Sequence, residues 1–593
     1  MLISQHPPIS DLAGMSFETL VSAVEQAQNA ADIALYRSWL EANAGNSPHL
    51  FAGWYNLGAS LAKHGDRNNA AIAYRNALAL KPDFHPAAVN LGLSEEATGD
   101  TAAALATWQR ALQPAATQTI LLNHIGRVCE RLGRLEEAHA SLQRSLLLDP
   151  AQPDVIQHYL HIRQRMCRWP VLTDLPGLSA ETQMKSCGPL GILALTDDIE
   201  VQRETAAGWI ERKTEPVAQR LSPPGGYDHA RIRLGYLSSD FCRHAMSFLV
   251  AELFERHDRA RFEIFGYCSS PEDGSDTRAR VIAAFDHHRI IRHLSDEDAA
   301  ALIRADEIDI LIDLNGLTSG ARLQILRHRP APVQATYLGF IGPVPVPELD
   351  YLLCDSYVIP AEDAALYQPK PLPIGTTYQA NDRRREVGAP ACRLEAGLPE
   401  DAFVFCNFSN HYKITPALFS AWMTILRATP HSVLWLAPDN IASPEALRQA
   451  ARNAAIDDTR LIFTGRADPA TYLSRMRLAD LFLDSFPYNS GTVASDALRM
   501  GLPLLTLRGR AFASRMAARL LDVMGAWDGI ATSFEDYVAR AVELAIDGAA
   551  YRAFRARFTV DAWVESIGNI AAFTREFEDA LAGVRIRKAE LLS

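Results

Sequence analysis

The chain has 593 residues, 48% hydrophobic and 22% charged, with a formal net charge of −12. That supplies several domains with buried cores and argues against a general binder of nucleic acid or of an acidic membrane, which needs a basic surface. The eight cysteines form no CxxC or CxC pair and no apolar run approaches a membrane span, so zinc, a disulfide framework and a membrane anchor are not indicated, and with no signal-peptide pattern at the N-terminus the expectation is a soluble cytoplasmic protein.

Residues 1–50 read as N-terminal capping helices. From Phe51 a 34-residue register appears. Asn56-Leu57-Gly58 recurs as Asn90-Leu91-Gly92 and His124-Ile125-Gly126, Gly65 as Gly99 and Gly133, and Ala70 as Ala104 and Ala138. Tyr74 becomes Trp108 and then Leu142, and Pro82 is matched by Pro150 and, two residues early, by Pro114. This pattern resembles the tetratricopeptide repeat, about three copies of which fill 51–152. Each copy is a pair of antiparallel helices in which small residues permit close crossing and the aromatic fills the gap to the neighbour.

Residues 153–228 form a helical connector, punctuated by Pro170, Pro176 and Pro189 and closed by the linker Ser222-Pro223-Pro224-Gly225-Gly226. Beyond it strands alternate with helices, the pattern of doubly wound α/β sheets. In the first lobe, 229–395, strands are predicted at 231–237, 262–268, 308–314, 332–338 and 351–354, with helices at 247–257 and 296–305, the second capped by Ser295. In the second lobe, 396–593, strands are predicted at 403–408, 432–436, 461–464, 481–483 and 504–507. Its helices fall at 416–428, at 444–455 with Ser443 as N-cap, and through 534–582. Two such lobes leave a cleft where the carboxyl ends of their strands face each other.

The segment 479–513 carries the most specific chemistry. An apolar strand ends in Asp484, a loop of turn formers runs from Pro487 to Thr492, a helix begins near 492–495, and a second strand follows. Such a unit delivers backbone N–H groups, hydroxyls and a positive helix end to one place, which suits a diphosphate. Asp496 is read as lying in the first turn of that helix, within reach of a ribose hydroxyl. The unit points to nucleotide handling.

Four segments, 235–249 (GYLSSDFCRHAMSFL), 313–345, 405–436 and 479–517, resemble the O-linked N-acetylglucosamine transferase and SPINDLY-like family, glycosyltransferase family 41. The resemblance implies an α-helical tetratricopeptide-repeat superhelix followed by an α/β GT-B fold of two Rossmann-like lobes. It also implies inverting transfer, without a metal or other cofactor, from a nucleotide sugar to a protein. UDP-N-acetylglucosamine is the first-choice donor, Ser or Thr the acceptor, and the repeats hold the polypeptide. His244 and Lys413 match the family's catalytic positions. Lys413 offers a point charge to the leaving phosphate, and His244 orients the acceptor or takes its proton. Read without the resemblance, His244 is equally a cap of the next helix and Lys413 a solvated surface residue. Asn410, Ala467, Tyr472, Arg475, Asn489, Gly491, Thr492 and Asp496 match nucleotide-sugar positions, although Tyr472 and Arg475 alone also suit an ordinary amphipathic helix. Gly339, Gly342 and Pro343 match the loop beside sugar and acceptor. Many relatives read His-Thr-Thr where this chain has Gly491-Thr492-Val493, and Pro-Gly-Thr after the Gly339 strand where it has Ile341-Gly342-Pro343. Those departures leave room for another donor, such as a flagellin-modifying nonulosonic acid, fucose, or glucose destined for Asn, and for a non-catalytic scaffold.

Overall fold

The computed structural model of the chain describes residues 15–26, 31–45, 47–112 and 119–592; Pro114 and the start of the 1–50 segment lie outside them. It divides into two compact units, 1–162 with 175–178 and 163–174 with 179–593.

In the first unit, helices Phe17–Glu25 and Ala31–Ala42 precede three helical pairs: Leu50–Lys63 with Arg67–Leu80, His85–Ala97 with Thr101–Ala111, and Thr119–Arg131 with Leu135–Leu148. Each pair turns at a left-handed glycine, Gly65, Gly99 or Gly133 (φ 86°, 92° and 74°), a conformation in which a side chain is strained. Asp66 and Asp100 then cap the second helices, accepting the Asn69 and Ala103 N–H groups. The other glycine series does a different job. A Cβ on Gly58, Gly92 or Gly126 would lie 2.6, 2.2 or 2.3 Å from Tyr74, Trp108 or Leu142 respectively. The large residue therefore fills a gap in its own repeat as well as the predicted gap to the next, where Trp108 stacks on His124 with 5.0 Å between ring centres.

The second unit opens with helices Ala180–Ser186, Pro189–Leu195 and Ile199–Lys213 and continues into two sheets. The first holds β1 (Ile232–Ser238), β2 (Phe262–Cys268), β3 (His287–Ile290), β4 (Ile310–Asp313), β5 (Val333–Tyr337), β6 (Tyr351–Cys354) and β7 (Lys370–Pro373), in spatial order β3-β2-β1-β4-β5-β6-β7. The second holds β8 (Phe403–Asn407), β9 (Ser432–Leu436), β10 (Leu461–Phe463), β11 (Leu481–Leu483), β12 (Leu504–Leu507) and β13 (Ile530–Ala531), in order β10-β9-β8-β11-β12-β13. All pairings are parallel; Leu234 sits opposite Ile264 and Ile310, and Phe405 opposite Leu434 and Leu481. The central strands are continuous apolar runs because helices cover both faces. Strand order reverses between β1 and β4 and between β8 and β11, the points at which open α/β sheets bind ligands beyond their carboxyl ends.

Several elements depart from expectation. β3 is a polar edge strand, His-His-Arg-Ile, and β7 carries two prolines, so neither shows the apolar pattern that marks a strand. The helix Asp276–Ala283 was likewise unmarked. Ser295 caps its helix as expected, accepting the Asp298 N–H. Ser443 does not cap: it is the first helical residue, and its hydroxyl bonds His411 Nδ1 at 2.7 Å. The region 534–582 is four helices, of which the last, Ile570–Leu592, returns to the first lobe. There Phe573 and Phe577 join the first lobe's core, and buried Glu578 bonds His257 Nδ1 at 2.9 Å and the Asp258 N–H at 2.8 Å.

Candidate active site

The loops at both reversal points converge on one cleft between the lobes, built of two joined chambers. The first, about 550 Å³, takes Asp240 and His244 from the loop after β1, Thr318 and Ser319 after β4, and Gly339 and Ile341 after β5. It takes Asn410 and Lys413 after β8, Gly491 and Thr492 after β11, and Met516 after β12. The second, about 520 Å³, takes Asp439 after β9 and Ala467, Tyr472 and Arg475 after β10. Ala245, Phe408 and Asn410 line both.

The two lobes brace these loops with the same device. Asp313, ending β4, accepts the Asn315 and Gly316 N–H groups and the Thr336 hydroxyl of the neighbouring strand. Asp484, following β11, accepts the Ser490 N–H and the Thr506 hydroxyl of its neighbouring strand. Burial raises both carboxyls above the usual range, against these hydrogen bonds. Ser409 and Ser490 join the loops after β8 and β11 through a 2.6 Å hydroxyl contact.

Lys413 is only 9% exposed. Its Nζ donates to the Asn489 carbonyl at 2.9 Å and lies 3.5 Å from the centre of the Tyr488 ring. Burial lowers its pKa, an effect opposed by Asp484. The same chamber is lined by the start of the helix Thr492–Arg499, opened by Gly491 with no side-chain cap, so its first N–H groups have no intrahelical partner. Gly501 at φ 71° ends that helix, and the Leu502 N–H reaches back to the Ala497 carbonyl.

His244 caps a helix and also stands in the wall of the cleft. It lines the first chamber, and the helix it caps is Ala245–Arg256, with Nδ1 accepting the Met246 N–H at 3.3 Å. Asp240 Oδ2 is 3.6 Å from that nitrogen. Asn489 is fully buried; its side chain donates to the Ser485 and Leu507 carbonyls behind the cleft. Arg475 Nη1 donates to Thr464 Oγ1 and to the Gly465 carbonyl and, among the described residues, pairs with no carboxylate. Asp496 is the fifth residue of its helix rather than in the first turn. It lines neither chamber and is engaged by Arg385, whose Nη1 sits 2.5 Å away. Gly342 and Pro343 lie buried in the wall, where Gly342 meets Leu193 and Phe340, while Gly339 and Ile341 face the cavity.

Sequence reasoning missed Arg385. It closes the run Arg383-Arg384-Arg385 between the lobes. The Arg383 N–H and guanidinium and the Arg384 guanidinium bond Glu252 and Glu255 of the first lobe, whereas Arg385 reaches Asp496 of the second. Arg499 donates to the carbonyls of Arg383 and Arg385, and Arg385 lies over the Phe248 ring at 4.7 Å. Three consecutive arginines were the available signal. Asp240, four residues before His244, and Tyr488, beside Asn489, were also missed; each stands next to a residue that was singled out.

Among the described residues no cluster of three or more His, Cys, Asp or Glu is placed to hold a metal ion, and no helix is long and apolar enough to cross a membrane. The eight cysteines form no disulfide.

The model of Glycosyl transferase family 41 matches residues 224–388 and 387–577, and that of the tetratricopeptide repeat matches 52–84 and 121–152. The chain is 34% identical over 341 residues to the probable UDP-N-acetylglucosamine–peptide N-acetylglucosaminyltransferase SEC of Arabidopsis thaliana, covering 56% of this chain and 35% of that protein. It is 25% identical over 477 residues to the UDP-N-acetylglucosamine–peptide N-acetylglucosaminyltransferase of Caenorhabditis elegans, covering 61% and 41% respectively. The chain thus spans well under half the length of these curated relatives. A mutant of the Thermobaculum terrenum O-GlcNAc transferase superposes with a TM-score of 0.67 at 24% identity, covering 92% of this chain and 98% of that one, a likeness of fold. With the matched segments running from 224 to 577 over most of both lobes, the chain belongs to glycosyltransferase family 41.

Proposed function

We propose that the cleft binds a nucleoside-diphosphate sugar and transfers the sugar, with inversion and without a metal, to a protein side chain presented by the repeats. The observation that carries this reading is one cavity lined by both the buried Lys413 ammonium and an uncapped helix N-terminus. The acceptor hydroxyl attacks the anomeric carbon and the bond to the β-phosphate oxygen breaks. Lys413 and the first N–H groups of the 492–499 helix stabilise the charge left on the diphosphate. Ala467, Tyr472 and Arg475 form the base end of the site, Asn410 joins the two chambers, and Asp496, which lines neither chamber and is engaged by Arg385, would reach the ribose on donor binding. Because Nδ1 of His244 accepts the Met246 N–H, its neutral ring carries the proton on Nε2. His244 then serves as a donor that orients acceptor or phosphate, and the donor phosphate receives the acceptor's proton.

UDP-N-acetylglucosamine is the first donor to test, supported by the names of the relatives. Gly491 beside Met516, together with Ile341 and Leu190 in the wall, favours a second reading in which the same machinery moves a less polar sugar. A panel of donors, scored by intact mass on a co-expressed acceptor, separates the two, because the added mass identifies the sugar. No transfer from UDP-N-acetylglucosamine would reject the first donor. UDP binding no tighter in the wild type than in Lys413→Ala would reject the enzyme reading in favour of a scaffold.

A further inference from the structure

The connector before the first lobe reaches a loop of the second. Asp197, between the helices Pro189–Leu195 and Ile199–Lys213, uses one carboxylate three times. It accepts the Arg510 N–H at 2.7 Å, the Ala511 N–H at 2.9 Å and the Ser514 hydroxyl. Gly509 makes this approach possible, since a Cβ there would stand 2.3 Å from Asp197 Oδ2. The segment it grips, 509–514, is closed on itself by the Gly509 N–H to the Ser514 carbonyl at 2.9 Å. Its other face supports the cleft: the Ala513 carbonyl accepts the Asn489 N–H at 2.9 Å, and the Asn489 carbonyl seats Lys413 Nζ at 2.9 Å.

We propose that Asp197 is a positioning residue for the diphosphate site: by holding 509–514 it fixes Ala513, hence Asn489, hence the ammonium of Lys413. The inference rests on the reading of Lys413 as the diphosphate's partner. The first lobe also touches the segment: the Phe512 N–H donates to Tyr367 Oη, and Arg510 donates from Nε and Nη2 to Asp363 Oδ1. Among these contacts from outside the segment, Asp197 bonds both ends, Arg510 and Ala511 on one side and Ser514 on the other, and so reinforces the Gly509–Ser514 closure. A buried ammonium that keeps its carbonyl partner is favoured in the charged form, so loosening Asn489 lowers the lysine's pKa. Asp484, Tyr412 and Tyr488, the titratable groups around Lys413, are untouched by a change at 197.

The test is the titration of Lys413 by NMR in full-length protein with carbon-13 lysine, with UDP affinity measured alongside. Asp197→Ala is expected to lower the Lys413 midpoint by roughly half a pH unit or more and to weaken UDP by about tenfold. Ser514→Ala moves both in the same direction by less. A midpoint unmoved in folded Asp197→Ala overturns the proposal whatever the affinity does. Should that variant fail to fold, Asp197→Asn and Ser514→Ala decide by the same criterion. Absence of UDP binding in the wild type would instead refute the nucleotide-sugar reading, and the lysine midpoint would still judge Asp197.

Discussion

The Lys413 ammonium lies 3.5 Å from the centre of the Tyr488 ring while donating to the Asn489 carbonyl. An aromatic face and a single carbonyl are modest replacements for water around a buried cation. The Lys413 ammonium is therefore under-solvated where it sits.

The first expected consequence is proton uptake on donor binding. Burial lowers Lys413 to about 7, so much of it is neutral above that pH, and a diphosphate favours the charged form. UDP affinity should fall as pH rises above about 7, by up to about tenfold per unit. Calorimetry near pH 8 in buffers of different ionisation heat should show a proton taken up, and Lys413→Met should abolish that uptake.

Lys413→Met should also separate stability from activity. The folded pKa lies below the ordinary 10.5, so between about 7 and 10.5 the unfolded chain holds more protons and wild-type stability rises with pH. Methionine matches the volume and carries no charge. The variant should unfold at higher temperature than wild type at pH 7, lose the pH slope in that window, and transfer sugar about 10²–10³-fold more slowly. Thermal scans across pH, with single-turnover assays, check both.

Arg385→Ala should act through Asp496. Burial raises the Asp496 carboxyl, and Arg385 opposes that rise. Without the guanidinium the pKa climbs further, so donor KM should rise by about tenfold at pH 6 and less at pH 8. Arg385→Lys should recover part of the loss. Equal KM increases at both pH values would show that Arg385 matters for lobe packing alone.

At Gly491, an added Cβ would fall 2.6 Å from Met516 Cε and 3.1 Å from Gln379 Oε1. Gly491→Ala should cost about 1–3 kcal/mol of stability through overpacking and weaken UDP. Met516→Ala in the same chain should restore most of both, since the nearer obstacle is the free end of a flexible side chain. Denaturant melts and UDP titration of the two single variants and the double variant measure the coupling.

The repeats and most of both sheets were legible because their signals are local: a 34-residue register, apolar runs of strand length, and Ser295 at a helix start. Elements that depend on partners were not. β3 and β7 are strands only because β2 and β6 offer them edges, and Ser443 prefers His411 to a capping role because both are buried together. The residues singled out for the site fall around one cleft, yet their orientation was hidden. Asp496 faces Arg385, more than a hundred positions away in sequence, and Gly342 and Pro343 turn into the wall. Pairings across that distance leave no periodic trace.

The run Arg383–Arg385 has one more implication. Two of its residues are fastened to glutamates of the first lobe and the third to the aspartate proposed to grasp the ribose in the second. On that assignment lobe angle and donor occupancy are linked quantities. If a donor prefers one angle by a given free energy, whatever fixes that angle must change donor affinity by the same amount. A polypeptide that wedges or clamps the lobes would thereby tune how tightly the nucleotide sugar is held before any bond is made.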